Sequence, residues 1–166
     1  MIKRLIVAAI AVVFFVLQFN LNGASALELN EKTLTITLND AGESVTLTSE
    51  QATEGQKLFV ANCTKCHLQG KTKTNNNVSL GLADLAKAEP PRDNLLALID
   101  YLEHPTSYDG EDDLSEFHPN VSRPDIFPEL RNLTEDDVYN VAAYMLVAPR
   151  LDEQLPSIYP SIPLDF

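Results

Sequence analysis

The sequence predicts a mainly α-helical domain with a β-hairpin towards its amino-terminal side. Three observations lead there. Three segments place apolar residues at helical spacing behind capping residues, one earlier segment alternates apolar with polar residues, and no strand–helix–strand unit is discernible. At 166 residues and 45% hydrophobic side chains, the chain has material for one packed core of ordinary size.

The first element is not part of that domain. Lys3 and Arg4 precede an unbroken apolar run from Leu5 to Leu17, then polar residues and the small triplet Ala24-Ser25-Ala26. This is the layout of an export signal, residues 1–26, cleaved after Ala26. The competing reading is a membrane anchor, but thirteen helical residues reach only roughly 20 Å, against the ~30 Å of a hydrocarbon core. The mature chain then starts at Leu27 and is soluble. Losing Lys3 and Arg4 leaves ten basic against 24 acidic side chains, a formal charge of −14. Nucleic acid and anionic lipid are poor partners for such a surface, whereas a basic protein face suits it.

Residues 27–48 read as an amino-terminal hairpin extension. Leu34, Ile36 and Leu38 alternate with threonines, Asn39-Asp40-Ala41-Gly42 breaks the pattern, and Val45 and Leu47 resume it. Residues 49–150 follow as the principal domain. Thr48 or Ser49 caps a helix carrying Leu58 and Phe59, with Gln51 placed to close a capping box. Gly55 inside that helix costs about 1 kcal/mol against alanine, which points to another backbone packed close. Lys71 to Pro91 is polar, then mixed, and reads as loop with one short helical turn. Asp93 or Asn94 caps the next helix, whose Leu95, Leu98, Ile99 and Leu102 share one side and which ends before Pro105.

A long Pro- and Asp-rich loop without sustained period comes next, the kind of segment that is usually functional in a compact domain. In the last helix Thr134 is the cap, and Glu135, Asp136 and Asp137 occupy the first turn where the helix dipole favours negative charge. Val138, Val141, Ala142 and Met145 form its buried stripe, and Pro149 is expected to stop it. Residues 151–166, with Pro156, Pro160 and Pro163, are expected to be an extended tail.

The chemistry concentrates in residues 63–67, Cys-Thr-Lys-Cys-His. The chain has no other cysteine and only two other histidines. A thioredoxin-like redox pair belongs at the head of a helix after a parallel strand, which these flanks do not supply. A structural zinc site needs four ligands, yet His104 and His118 stand 14 residues apart, not three to five as in a finger. A plain disulfide leaves His67 unexplained. Covalent c-type haem attachment uses every residue: Cys63 and Cys66 as thioethers to the two vinyl groups, His67 as proximal iron ligand. Export agrees, because haem is attached to such proteins outside the cytoplasm. The fold expected is then a cytochrome c-like helical haem domain, with the apolar sides of its helices walling the pocket.

The sixth iron ligand has three candidates in the mature chain: His104, His118 and Met145. Met145 falls within an apolar helical stripe, where methionine is commonly core filler. His104 ends the middle helix, beside free carbonyls. His118 lies in the aperiodic loop ahead of the last helix, and position favours it over His104. Two histidines imply a lower potential than a His/Met pair and suit casual electron shuttling less well.

Beyond the haem motif, the stretches "GKTKTN", "PPRDNL", "DYLEHPTSYDGE", "FHPNVSRPDIFPELRNLTE" and "LVAPRL" resemble the cytochrome c-550 family, the low-potential extrinsic cytochromes c of photosystem II in cyanobacteria and red-lineage plastids. The resemblance covers the mature chain to about Leu151 and implies His118 as distal and His67 as proximal ligand. It also implies a haem-bearing lumenal subunit, peripheral to the thylakoid membrane and not itself an enzyme. That subunit docks on photosystem II core proteins, including the inner antenna protein, and on other extrinsic subunits. There it shields the manganese–calcium oxygen-evolving cluster and helps retain calcium and chloride. Members of this family end in a short Gly-rich tail with a Trp and a terminal Tyr, whereas this chain ends "DEQLPSIYPSIPLDF", so tail contacts are not carried over. The alternatives are a soluble lumenal electron carrier using the same haem, and a haem-free structural protein with a Cys63–Cys66 disulfide. The hairpin and the acidic surface are the expected docking regions.

Overall fold

The computed structural model describes residues 31–154, so the expected export signal and most of the expected carboxy-terminal tail lie outside it. A single helical turn, α1 (Glu31–Leu34), leads into an antiparallel hairpin of β1 (Thr35–Thr37) and β2 (Ser44–Thr46), paired Thr35 to Thr46 through Thr37 to Ser44. Helix α2 (Ser49–Asn62) follows, then the short α3 (Leu82–Leu85), α4 (Leu95–Glu103) and the long α5 (Glu135–Gln154). This is the mainly helical architecture with a small two-stranded sheet that the sequence predicts.

The caps form where the side chains allow them. Thr48 Oγ1 accepts from the Gln51 amide while Gln51 Oε1 accepts from the Thr48 amide, which satisfies two donors at the head of α2. Asn94 caps α4 by accepting from Ala97 N, and its amide donates to Asp40, tying that helix start to the hairpin turn. Thr134 and Asp137 exchange bonds at the head of α5 in the same reciprocal manner.

Helices α2 and α5 cross at Gly55. A Cβ there would stand 2.8 Å from both the Asn140 carbonyl carbon and Tyr144 Cβ, and closer still to the Asn140 oxygen. Glycine is therefore what lets the two backbones touch, as its place in the sequence predicts. One turn on, the Phe59 and Tyr144 rings pack at 5.6 Å. The stripe of α5 is buried as expected, but so are Ala143, Tyr144, Leu146 and Val147, so this helix is enclosed on nearly every side.

Three expectations are corrected. The first predicted strand residues, Thr33 and Leu34, are helical and both are buried. The hairpin does not stand apart from the core of the helical domain: Leu34, Ile36 and Leu47 join the same cluster as α5. Pro149 does not stop α5, which runs on to Gln154, so Leu151–Gln154 of the predicted extended tail are helical. Proline removes one amide bond but its own φ is helical, and Arg150 just beyond it donates to the Thr35 carbonyl, fastening the helix end to β1.

Candidate functional site

Cys63 caps the carboxy end of α2, its amide bonded to Phe59 O at 2.8 Å. The chain keeps coiling through the motif, with Cys66 N and His67 N both bonded to Cys63 O at 3.1 and 2.9 Å. One helical turn thus sets the two thiols close together with the imidazole directly after. The chain then reverses through Gln69 and Gly70, both at positive φ, and Lys73 N bonds back to Cys66 O at 2.8 Å. That return brings Thr72 Oγ1 to 3.4 Å from His67 Nδ1. A partner on one ring nitrogen fixes the tautomer of a ligating histidine and leaves the other for a metal.

His118 arrives from the opposite side of the fold on the loop between α4 and α5. Its amide bonds to Leu114 O at 2.8 Å. Asn120, wholly buried, donates to the carbonyls of both Ser115 and His118 at 2.8 Å. Ser122 Oγ then bonds to Glu103 O at 2.7 Å, which anchors the loop to the end of α4. The edge of Tyr101 meets the His118 ring at 5.1 Å. Among the described residues the buried His118 Nδ1 has no hydrogen-bond partner at normal geometry, although the Pro119 backbone interacts with the ring and opposes the lowering of its pKa.

Cys63, Cys66, His67 and His118 line one cavity of about 370 Å³, walled by apolar residues of α2, α4 and α5 that include Phe59, Leu98, Val138 and Val141. The two imidazoles face each other at 6.1 Å between ring centroids. Two metal–nitrogen bonds of about 2.0–2.1 Å, plus about 1.2 Å from each nitrogen to its ring centre, give about 6.4–6.6 Å for two imidazoles that share one ion. The observed spacing suits that arrangement.

The electrostatics agree. Burial and the facing His67 hold the His118 pKa down to about 4, and burial lowers that of His67, so both present neutral imidazoles with a lone pair at pH 7. Burial, with Cys66 nearby, pushes the Cys63 thiol up to about 11.

Of the other candidate ligands, Met145 also lines the cavity from α5. His104 does not. It caps α4 with its side chain 69% exposed and Nδ1 3.4 Å from Asp100 Oδ1. Among the described residues no group of three or more His, Cys, Asp or Glu is placed to hold a metal ion alone. Two imidazoles and two thiols around an apolar cavity suit a metal carried by a large organic ligand. Sequence reasoning missed Tyr101 and Arg92, which also line this cavity, with the Arg92 guanidinium 4.1 Å above the Tyr101 ring. Their only signals were the "PPRDNL" stretch for Arg92 and the "DYLEHPTSYDGE" stretch for Tyr101, which place neither side chain.

The signature of the cytochrome c-550 domain matches residues 27–156. The chain belongs to the cytochrome c-550 family. It is 96% identical over 128 residues to the photosystem II extrinsic protein V of Microcystis aeruginosa, covering 77% of this chain and 95% of that one. It is 67% identical over 150 residues to the protein of the same name from Rippkaea orientalis, covering 90% and 94%. Among solved structures it resembles cytochrome c549, with a TM-score of 0.73 and 44% identity over 76% of this chain and 98% of the other. Membership of a cytochrome family makes haem the cofactor, and the donor set and apolar walls of the cavity fit it.

Proposed function

We propose that this chain is an extrinsic haem subunit of photosystem II. It works on the lumenal side of the thylakoid membrane, where it shields the manganese–calcium cluster and helps retain its calcium and chloride. The observation that carries the haem half of this reading is the meeting of His67 and His118 across a cavity that also contains Cys63 and Cys66. The photosystem half is supported by the names of the cyanobacterial relatives, both called extrinsic proteins of photosystem II.

Cys63 and Cys66 would hold one haem through thioethers, and His67 and His118 would be its iron ligands. Bound there, the haem supplies a one-electron centre whose potential is lower than a His/Met pair would give. Asn120 and Tyr101 hold His118 in place, and the apolar walls exclude water. The chain carries out no reaction of its own. No helix among the described residues is long and apolar enough to cross a membrane, which is compatible with peripheral attachment to core and extrinsic subunits of the photosystem.

The test is reconstitution. Photosystem II particles stripped of extrinsic subunits are incubated with the mature haem protein, and oxygen evolution is followed as calcium and chloride are withdrawn. Binding that preserves activity at low calcium and chloride is the expected result. Oxygen evolution indifferent to the protein, with rapid electron exchange to a lumenal carrier, would transfer the reading to a soluble electron-transfer cytochrome.

A further inference from the structure

Arg92 is a buried cation that pairs with no anion among the described residues. It is 7% exposed, and the ion pairs among the described residues are made by Lys57, His104 and Arg123 instead. Its Nη2 donates to Thr106 Oγ1 at 3.0 Å, to Thr106 O at 3.1 Å and to Ser107 O at 2.6 Å. Its guanidinium plane rests on Tyr101, whose edge in turn touches His118. These partners are neutral. They orient the group but leave its charge uncompensated, and an unpaired buried charge is costly.

Arg92, Tyr101 and His118 all line the same cavity, so the balancing negative charge is one that the occupant of the cavity brings. Haem carries two carboxylates. The three hydrogen bonds above all leave from Nη2, so the Nη1 amino group keeps its N–H groups for a carboxylate oxygen. We propose that Arg92 is the counter-charge of a haem carboxylate and that its charge helps set the potential of the iron. The inference rests on the reading that this cavity holds haem.

The test compares the mature haem protein with Arg92→Gln and Arg92→Lys by potentiometric titration at pH 7, with absorption spectra recorded throughout. In the Gln variant the haem carboxylate loses its counter-charge, which favours ferric iron, so the midpoint falls while the low-spin spectrum persists. The Lys variant restores the charge and recovers most of the shift. A Gln midpoint equal to the parent's overturns the proposal, and so does a Lys variant displaced as far as Gln. If the Gln variant fails to retain haem, redox-difference infrared spectra of the Lys variant decide: haem carboxylate bands moved from the parent's support the pairing, and unmoved bands overturn it. A parent protein without haem would instead sink the underlying reading, so the two failures are distinguishable.

Discussion

His118 is the residue on which the site turns, because only folding brings it opposite His67. Its pKa of about 4 lies below the ordinary 6.5, so an unfolded chain takes up the proton first. The stability that the neutral imidazole contributes is complete above about 6.5 and is lost as pH falls through about 4. Iron competes with the proton for the same lone pair and moves that loss lower still. The haem protein is therefore expected to keep one low-spin absorption spectrum from pH 7 down to about 4; a change to high spin already between pH 6 and 7 would contradict the assignment. The cysteines make a separate prediction. Replacing either Cys63 or Cys66 by serine leaves a single thioether, which a pyridine haemochrome spectrum detects as a shifted band, and an unshifted band would mean that the residue forms no bond to haem. The motif was legible in the sequence because its geometry is local, one turn of chain. The Arg92–Tyr101–His118 stack was not, because its members meet only through the path of the loop.

At the scale of elements, caps and the helix crossing could be read in advance, and the reason is physical. Thr48 with Gln51, Asn94, and Thr134 with Asp137 act within three residues of themselves, and Gly55 has no local reason to be glycine. In an open helix Gly→Ala would stabilise by about 1 kcal/mol. Here the added Cβ meets the Asn140 backbone, so Gly55→Ala is expected to destabilise by about 1–3 kcal/mol. The measurement is thermal unfolding of the haem protein, and a raised midpoint would show that the crossing tolerates a side chain. Where local rules failed, tertiary contact prevailed. Pro149 reads as a stop, yet Leu146 and Val147 before it are buried and Arg150 after it is bonded to β1, so the helix continues. The hairpin reads as an appendage by its alternation, but Ile36 is 1% exposed. A charge at Ile36 would therefore break the core, and the exposed Ser44 is the sound probe of docking. Ser44→Lys is expected to weaken binding to stripped photosystem II with the haem spectrum unchanged, and parental binding by that variant would clear this face of the hairpin.

For the whole molecule, the chain's formal charge of −12 favours association with a basic surface, and such association weakens as salt screens it. Binding to photosystem II particles is expected to fall as ionic strength rises; salt-independent binding would place the contact on apolar surface instead. On the proposed reading, the protein holds its haem enclosed while presenting an acidic exterior to a partner. The claim beneath all of this is that His67 and His118 both bind the iron. The measurement that tests it most directly is a potentiometric titration of the mature protein with its absorption spectrum, repeated on His118→Met. A low midpoint and bis-histidine spectrum in the parent, with the midpoint raised in the variant, is the predicted result. A high midpoint that ignores the change at His118 would contradict it, pass the sixth position to Met145, and make the mobile electron carrier the better account.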